Sequence, residues 1–351
     1  MGLKDHIVNA TADELRGKVF LRPLQAESVQ AEVVELLETS GLGDRFRGLS
    51  QVFLKPNLVS DVPEYIAAGS NTDTRVIEGL LKYLADFNIK VLIGESEVGT
   101  HLKGRRLAQA LEYMGIYDLQ KRYDFQIVNL TEAPQVEVEI PGALALPSVK
   151  FSTPLLDSDL IINLPKLKTH KYAVITCALK NMFGAIPDPM RIRYHYALDR
   201  VLADINSLFH RKMYVLLDGI RGMEGQGPLY GSAVAMNLLL AAHDPAAADV
   251  AAARLMGFEP TAVPHLKHFL ENFSEVAEAD IEIVGAELAD VARDFKPARR
   301  SLYVKFESWM CRHPMIIKVI FSDTFRRYVA RPLHPLLSRL RGGSYSWYDD
   351  K

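Results

Sequence analysis

The run DLIINLPKLKTHKYAVITCALKNMFG (159–184) decides how this chain is read. DLIINLP (159–165) is almost wholly apolar, the pattern of a strand covered on both faces. KLKTH (166–170) follows at its carboxyl end and reads as a polar loop carrying two lysines and a histidine. YAVITCALKNMFG (172–184) reads as a helix ended by Gly184. Strand, charged turn and helix, in that order, make the repeating unit of an α/β protein.

The same alternation extends outward. Residues 19–24, 51–58, 90–96, 126–130, 213–220, 236–244 and 280–285 read as strands, several of them apolar throughout. VEVEIP (136–141) alternates and reads as an edge or hairpin strand. Residues 28–42, 72–88, 105–121, 195–209 and 245–257 read as helices. Asn71, Thr72 or Asp73 caps the second of these. Asp244 and Pro245 open the last. The expected fold is α/β: a mostly parallel sheet with helices on both faces over residues 1–290. Residues 291–351 add a basic, amphipathic helical extension, with eleven lysines and arginines from Lys296 to Arg341 and Trp309, Phe321, Phe325 and Trp347 among them.

Of the 351 residues, 48% are apolar and 24% charged, as in an ordinary globular protein. Lys plus Arg (41) nearly balance Asp plus Glu (43), which gives no reason to expect nucleic acid. Cys177 and Cys311 are too few for a disulfide framework or an all-cysteine iron–sulfur site, so an iron–sulfur cluster is not expected. The first residues lack the apolar run of a signal peptide, and no stretch of eighteen apolar residues occurs. A reducing, cytoplasmic location is the expectation.

Ligands of open α/β sheets bind beyond the carboxyl ends of the strands. Strand by strand, that rim receives Lys55 and Asn57, Glu95 and Glu97, Lys166, Lys168 and His170, then Asp218 and Glu224, and finally His243 and Asp244. KNMFGAIPDPMRIRYH (180–195) brings Lys180, Asn181, Arg193 and His195 as a segment that closes over it. GQGPLYG (225–231) is read as a second such loop, and the glycines at 222–227 are a weak phosphate signal. Each residue also has a plainer role. Lys55 is as well explained by a solvated strand end, Glu95 as a surface acid, Asp218 as a turn former and Asp244 as a helix cap. KLKTH weighs more, because two lysines and a histidine after a buried strand are costly unless they meet anions or acids.

LKPNL (54–58), residues 159–184, LADIN (202–206), LLDGIRGMEGQGPLYG (216–231) and HDPAAADVAAARLMG (243–257) resemble the DUF362 family of uncharacterised proteins, over roughly residues 50–260. The resemblance implies a shared site built on Lys55, Asn57, Lys166, Lys168, His170, Lys180, Asn181, Asp218, Glu224 and Asp244. Many relatives carry ferredoxin-type cysteine clusters beside this domain. This chain does not, which weakens an electron-transfer role.

The leading expectation is an enzyme for a small carboxylate or phosphate metabolite. Its catalytic groups would be His170, Lys168, Asp218 and Glu224. Lys55, Asn57, Glu95, Lys166, Lys180, Asn181, Arg193 and His195 would bind the substrate. Isomerisation, racemisation or elimination suits these groups. One alternative is a divalent-metal enzyme, with Mg²⁺ or Mn²⁺ on His170, Asp218 and Asp244. Another is a non-catalytic redox or assembly partner of an iron–sulfur protein. Residues 296–341 are a candidate peripheral membrane or protein contact, and a homo-oligomer is open.

Overall fold

A computed structural model describes residues 15–25, 28–97 and 106–299, and scattered positions between 309 and 328. The chain divides into two compact units. One holds the described residues up to Pro189 together with 198–299, and the other holds 190–197 with those from 309 onward. Of the extension, Lys296 and Arg299 are described, while the basic residues from Arg300 to Arg341 lie outside the described residues.

The larger unit has the expected class. Its strands are β1 (Lys18–Pro23), β2 (Gln51–Pro56), β3 (Lys90–Glu95), β4 (Gln126–Asn129), β5 (Gln135–Glu139), β6 (Ser148–Ser152), β7 (Leu160–Leu164), β8 (Lys166–His170), β9 (Val174–Thr176), β10 (Met213–Gln226), β11 (Tyr230–Ala242) and β12 (Glu282–Gly285). The sheet runs β12-β1-β11-β10-β7-β2-β3-β4, and β8 with β9 joins it along β10. Strands β10, β7, β2, β3 and β4 are mutually parallel, and β12 lies parallel to β1. Strand β11 is antiparallel to both its neighbours. Strands β5 and β6 form a separate hairpin.

Helices cover both faces. The longer ones are α1 (Val29–Thr39), α2 (Thr74–Leu84), α3 (Arg106–Tyr113), α4 (Leu198–Ser207), α5 (Pro245–Leu255) and α6 (Pro264–Asn272). Val76, Ile77, Leu80, Leu81 and Leu84 recur at three- and four-residue spacing, so α2 buries one stripe, against α1 and the sheet. Asp73 caps α2 by accepting from the Arg75 N–H, and Asp244 caps α5 by accepting from Ala246 and Ala247.

Strand periodicity then decides what each face receives. Val52 and Leu54 of β2, with Leu160, Ile162 and Leu164 of β7, enter the core under α1 and α2. Phe53, Lys55, Ile161 and Asn163 therefore point to the other face, and register sets Lys55 directly beside Asn163. Asn163 donates to the Ala178 carbonyl at 2.8 Å, which fastens the short helix Ala178–Asn181 over that face.

The structure corrects several readings. KLKTH is not a loop but strand β8, buried at all five positions, because β10 runs on to residue 226 and supplies it with a ladder. Residues 172–184 are not one helix: they form β9, the short helix 178–181 and a 3₁₀ turn. The glycines at 222–227 and the GQGPLYG segment are the β10–β11 hairpin and its tip, not loops closing over a ligand. Because β11 runs antiparallel to β10, its carboxyl end meets the start of β10, with Ala242 opposite Val215. Val215 is level with Asn163 and Lys55, so His243 and Asp244 lie just past the level of Lys55, on the side away from Asp218. Helix α6 has no counterpart in the sequence reading.

Candidate functional site

Three lysines are fully buried at the carboxyl ends of the parallel strands, each held differently. Lys55 ends β2 and pairs with Glu95 at the end of β3, while also donating to the Pro56 carbonyl at 3.1 Å. Glu95 accepts from the Ser96 N–H as well, and Gly184 packs so closely on its carboxylate that a Cβ there would collide with it. Lys166 begins β8 and pairs with Asp218 of β10 at 2.6 Å. Asp218 further accepts from the Asp73 and Ile220 backbone N–H groups at 2.7 and 3.0 Å. Both are charge pairs with hydrogen bonds filling the remaining carboxylate positions, as buried ions require.

Lys168 differs. Its Nζ donates to the Asn57 side-chain oxygen at 2.8 Å and to the Ser70 carbonyl at 2.6 Å. Both acceptors are uncharged. Burial, then the charges of Lys180 and Lys166, hold its ammonium well below the ordinary lysine range. In its neutral form this amine would spend its two N–H bonds on these acceptors and keep a lone pair.

A chain of amides fixes this amine. Asn57 donates to Asn181 at 2.8 Å, and Asn181 donates to Asn163 at 2.7 Å and to the Lys55 carbonyl at 3.1 Å. Asn181 sits on the short helix 178–181. The first two N–H groups of that helix, Ala178 and Leu179, donate to the two carboxylate oxygens of Asp249 from α5. Burial pushes the Asp249 carboxyl up to about 7. Cys177, one residue earlier, is likewise raised by burial and then by Asp249.

Of the residues expected from sequence, Lys55, Asn57, Glu95, Lys166, Lys168, Asn181 and Asp218 join this contiguous network. Lys180 stands close enough for its charge to act on Lys168, and its ammonium lies 4.6 Å from the Phe183 ring centroid. His170 closes β8. Its Nδ1 accepts from the Tyr172 and Ala173 N–H groups at 3.1 and 3.2 Å, so the neutral ring carries its proton on Nε2 and is a donor there. Glu224 is placed elsewhere, on the outer part of the hairpin. It accepts from the Lys296 N–H at 2.9 Å and pairs with the Lys296 ammonium at 3.2 Å, which holds its carboxyl below the usual range.

Arg193 and His195 belong to the second unit. There Arg193 donates to the Tyr194 hydroxyl at 3.0 Å, and His195 Nδ1 lies 3.1 Å from the Ile192 carbonyl. Asp244 caps α5 past the end of β11, toward the start of β10 and away from Asp218, and His170, Asp218 and Asp244 do not converge. Among the described residues no three His, Cys, Asp or Glu side chains are arranged to hold a metal ion.

Two network members escaped the sequence reading, Ser70 and Asp249. Asp249 left a signal, being the one acid in the buried helix PAAADVAAARL. Ser70 acts through its carbonyl, which no residue type announces.

The DUF362 family model, a domain of unknown function, matches residues 52–254. The chain belongs to this family. The matched region holds the whole lysine–asparagine network from Lys55 to Asp249. A thylakoid-associated protein of Synechocystis sp., sll1697, is 26% identical over 328 residues, covering 88% of this chain and 94% of that protein. The lactate racemase apoprotein of Thermoanaerobacterium thermosaccharolyticum is a structural neighbour at TM-score 0.38 and 13% identity, over 72% of this chain. This chain matches about half (55%) of that protein, and a likeness so loose says nothing about activity. Among the described residues no helix is long and apolar enough to cross a membrane.

Proposed function

We propose that this protein binds a small carboxylate- or phosphate-bearing metabolite at the carboxyl-end rim and moves a proton on it. Isomerisation, racemisation and elimination beside a carbonyl are the fitting reaction classes. Lys168 carries the reading: it is a buried amine between two satisfied lysine–carboxylate pairs, and it alone of the three is held by neutral acceptors. The lone pair left by the Asn57 and Ser70 hydrogen bonds would take the proton, and the resulting ammonium would return it. His170, at the end of β8, would be the acid–base partner of this amine. The Lys55–Glu95 and Lys166–Asp218 pairs would keep the floor of the site rigid and electrically balanced. A cytoplasmic setting belongs to the same proposal.

The test is the thermal midpoint with phosphate, sulfate and oxalate. Binding at a hundredfold excess over Kd stabilises by about 2.7 kcal/mol. The midpoint should rise for the parent protein and stay level for Lys168→Met. No rise with any of the three anions would remove the reading.

A second reading is favoured by the thylakoid association of the Synechocystis relative together with the basic run after residue 296. In that reading the C-terminal part binds an anionic membrane surface. The full chain should pellet with anionic liposomes and a 1–290 truncation should not. Equal pelleting would end it.

A further inference from the structure

A cleft of about 420 Å³ opens where the last turns of α1 and α2 meet residues 41–47. That volume is of the size that takes a small molecule. Its walls combine two chemistries. Phe46, Tyr83 and Phe87 form the apolar wall, each ring against the other two, with centroids 4.8, 5.4 and 6.2 Å apart. Phe46 and Tyr83 are buried, and Phe87 is half-buried. Gly43 presses on this wall: a Cβ there would lie 2.8 Å from the Tyr83 hydroxyl. Glu38 and Asp44 form the charged wall. Burial, then the Glu38 charge, raise the Tyr83 phenol above its ordinary value, so the ring stays neutral with a carboxylate near it.

The cleft is electrically negative for three reasons. The carboxyl-terminal turns of two helices border it, and those are the negative ends of their dipoles. Glu38 stands in the last turn of α1, where the dipole favours a cation and disfavours an acid. Its carboxylate has no hydrogen bond or ion pair among the described residues. Asp44 adds a second carboxylate. Among the described lining residues the one cation is Arg47, which pairs with Asp44 at 2.9 Å. Both side chains of that pair are exposed, so it is weakly held.

Aromatic faces attract a cation through their quadrupole, and carboxylates attract it by charge. A hydrated metal ion would gain little from the rings, and an uncharged apolar ligand little from the acids. The geometry points to a binding site for a small organic ammonium ion, with its alkyl groups against Phe46, Tyr83 and Phe87 and its charge beside Glu38 and Asp44. Arg47 is the internal cation that the ammonium displaces from Asp44. The site shares no residue with the lysine network and does not depend on the proposed function.

The experiment titrates tetramethylammonium chloride into the full chain carrying ¹³C-labelled phenylalanine and tyrosine rings. Sodium chloride at the same ionic strength is the control. The ring signals are assigned with Phe87→Leu and Tyr83→Phe. Tetramethylammonium should shift the Tyr83 and Phe87 signals along a saturable curve that sodium does not produce. Glu38→Gln and Phe87→Leu should each weaken binding by about tenfold, the scale of one partly desolvated cation contact. Arg47→Gln should tighten it by about threefold, because only an exposed ion pair is lost. Glu38 is exposed, so Glu38→Gln keeps the fold and decides the matter even if Phe87→Leu does not fold. Equal shifts with sodium and tetramethylammonium would mean general screening, and the inference would be wrong. It would be wrong too if no ring signal moves, or if Glu38→Gln binds as tightly as the parent protein. Weaker binding by Arg47→Gln would also overturn it, since the arginine would then be helping the ligand.

Discussion

Around the start of β10 and the end of β11 the buried polar groups lean mostly on backbone, although Ser40 and Tyr214 pair through their hydroxyls. Arg45 donates to the Met213 carbonyl at 2.7 Å, His243 Nε2 meets the Ser40 carbonyl at 2.7 Å, and Asp244 caps α5. At the carboxyl end they lean on one another. Lys55 meets Glu95, Lys166 meets Asp218, and Asn57, Asn181 and Asn163 form a chain of amides. Groups tied to backbone lock helices to strands. Groups tied to side chains drawn from five separate segments place a charge distribution, which is what a binding site needs. The two groups are buried alike, so burial alone does not distinguish a lock from a site; the partner type does.

The hardest test of this contrast is Asp218→Ala. It strands the Lys166 ammonium and two backbone N–H groups in the interior, and stability should fall by about 3–5 kcal/mol in urea unfolding. A loss under about 1 kcal/mol would mean that the carboxyl-end charges are solvated and the contrast is false.

His243→Gln probes the end of β11 through pH. Burial lowers the folded pKa of His243 to about 4 from an ordinary 6.5, so the native state binds fewer protons than the unfolded one. Its contribution is complete above pH 6.5 and is lost as pH falls toward 4. The variant should show a shallower decline of stability over that window. Asp249 has the opposite sign. Its folded pKa of about 7 lies above the ordinary 3.8, the native state binds more protons, and stability declines as pH rises from 4 to 7. Asp249→Asn should remove that decline.

Asp244→Ala should cost about 0.5–2 kcal/mol, the value of a helix cap, and leave anion binding untouched. Altered anion affinity would place Asp244 in the site after all. The smallest expected change in stability is that of Lys168→Met, within about 1 kcal/mol of the parent protein, because an apolar side chain replaces a desolvated amine. The anion-dependent rise in midpoint should disappear in the same variant.

The α/β class and the strands from β1 to β4 were legible because their apolar runs and cap residues carry local signals. Lys55, Lys166, Lys168 and Asp218 were legible for a related reason: strand ends are where an α/β sheet gathers polar groups. The misreadings share one cause. Strand β8 owes its conformation to pairing with β10, about fifty residues away, and β9 to pairing with β8, and their Lys and Thr content gives no local signal of it. Strand β11 runs antiparallel to β10, which a sequence read strand by strand cannot show, and so Asp244 was read onto the same rim as Asp218.

The placement of β1 bears on how the protein is made. Among the described residues, the first strand to leave the ribosome has both its neighbours, β11 and β12, more than two hundred residues later in the chain. Its edges stay bare until nearly the whole domain has been synthesised. Pairings this distant slow folding and expose strand edges to other chains meanwhile. A nascent chain halted before β11 would therefore carry an uncovered apolar strand, and slow translation through residues 60–230 should raise the demand for chaperones.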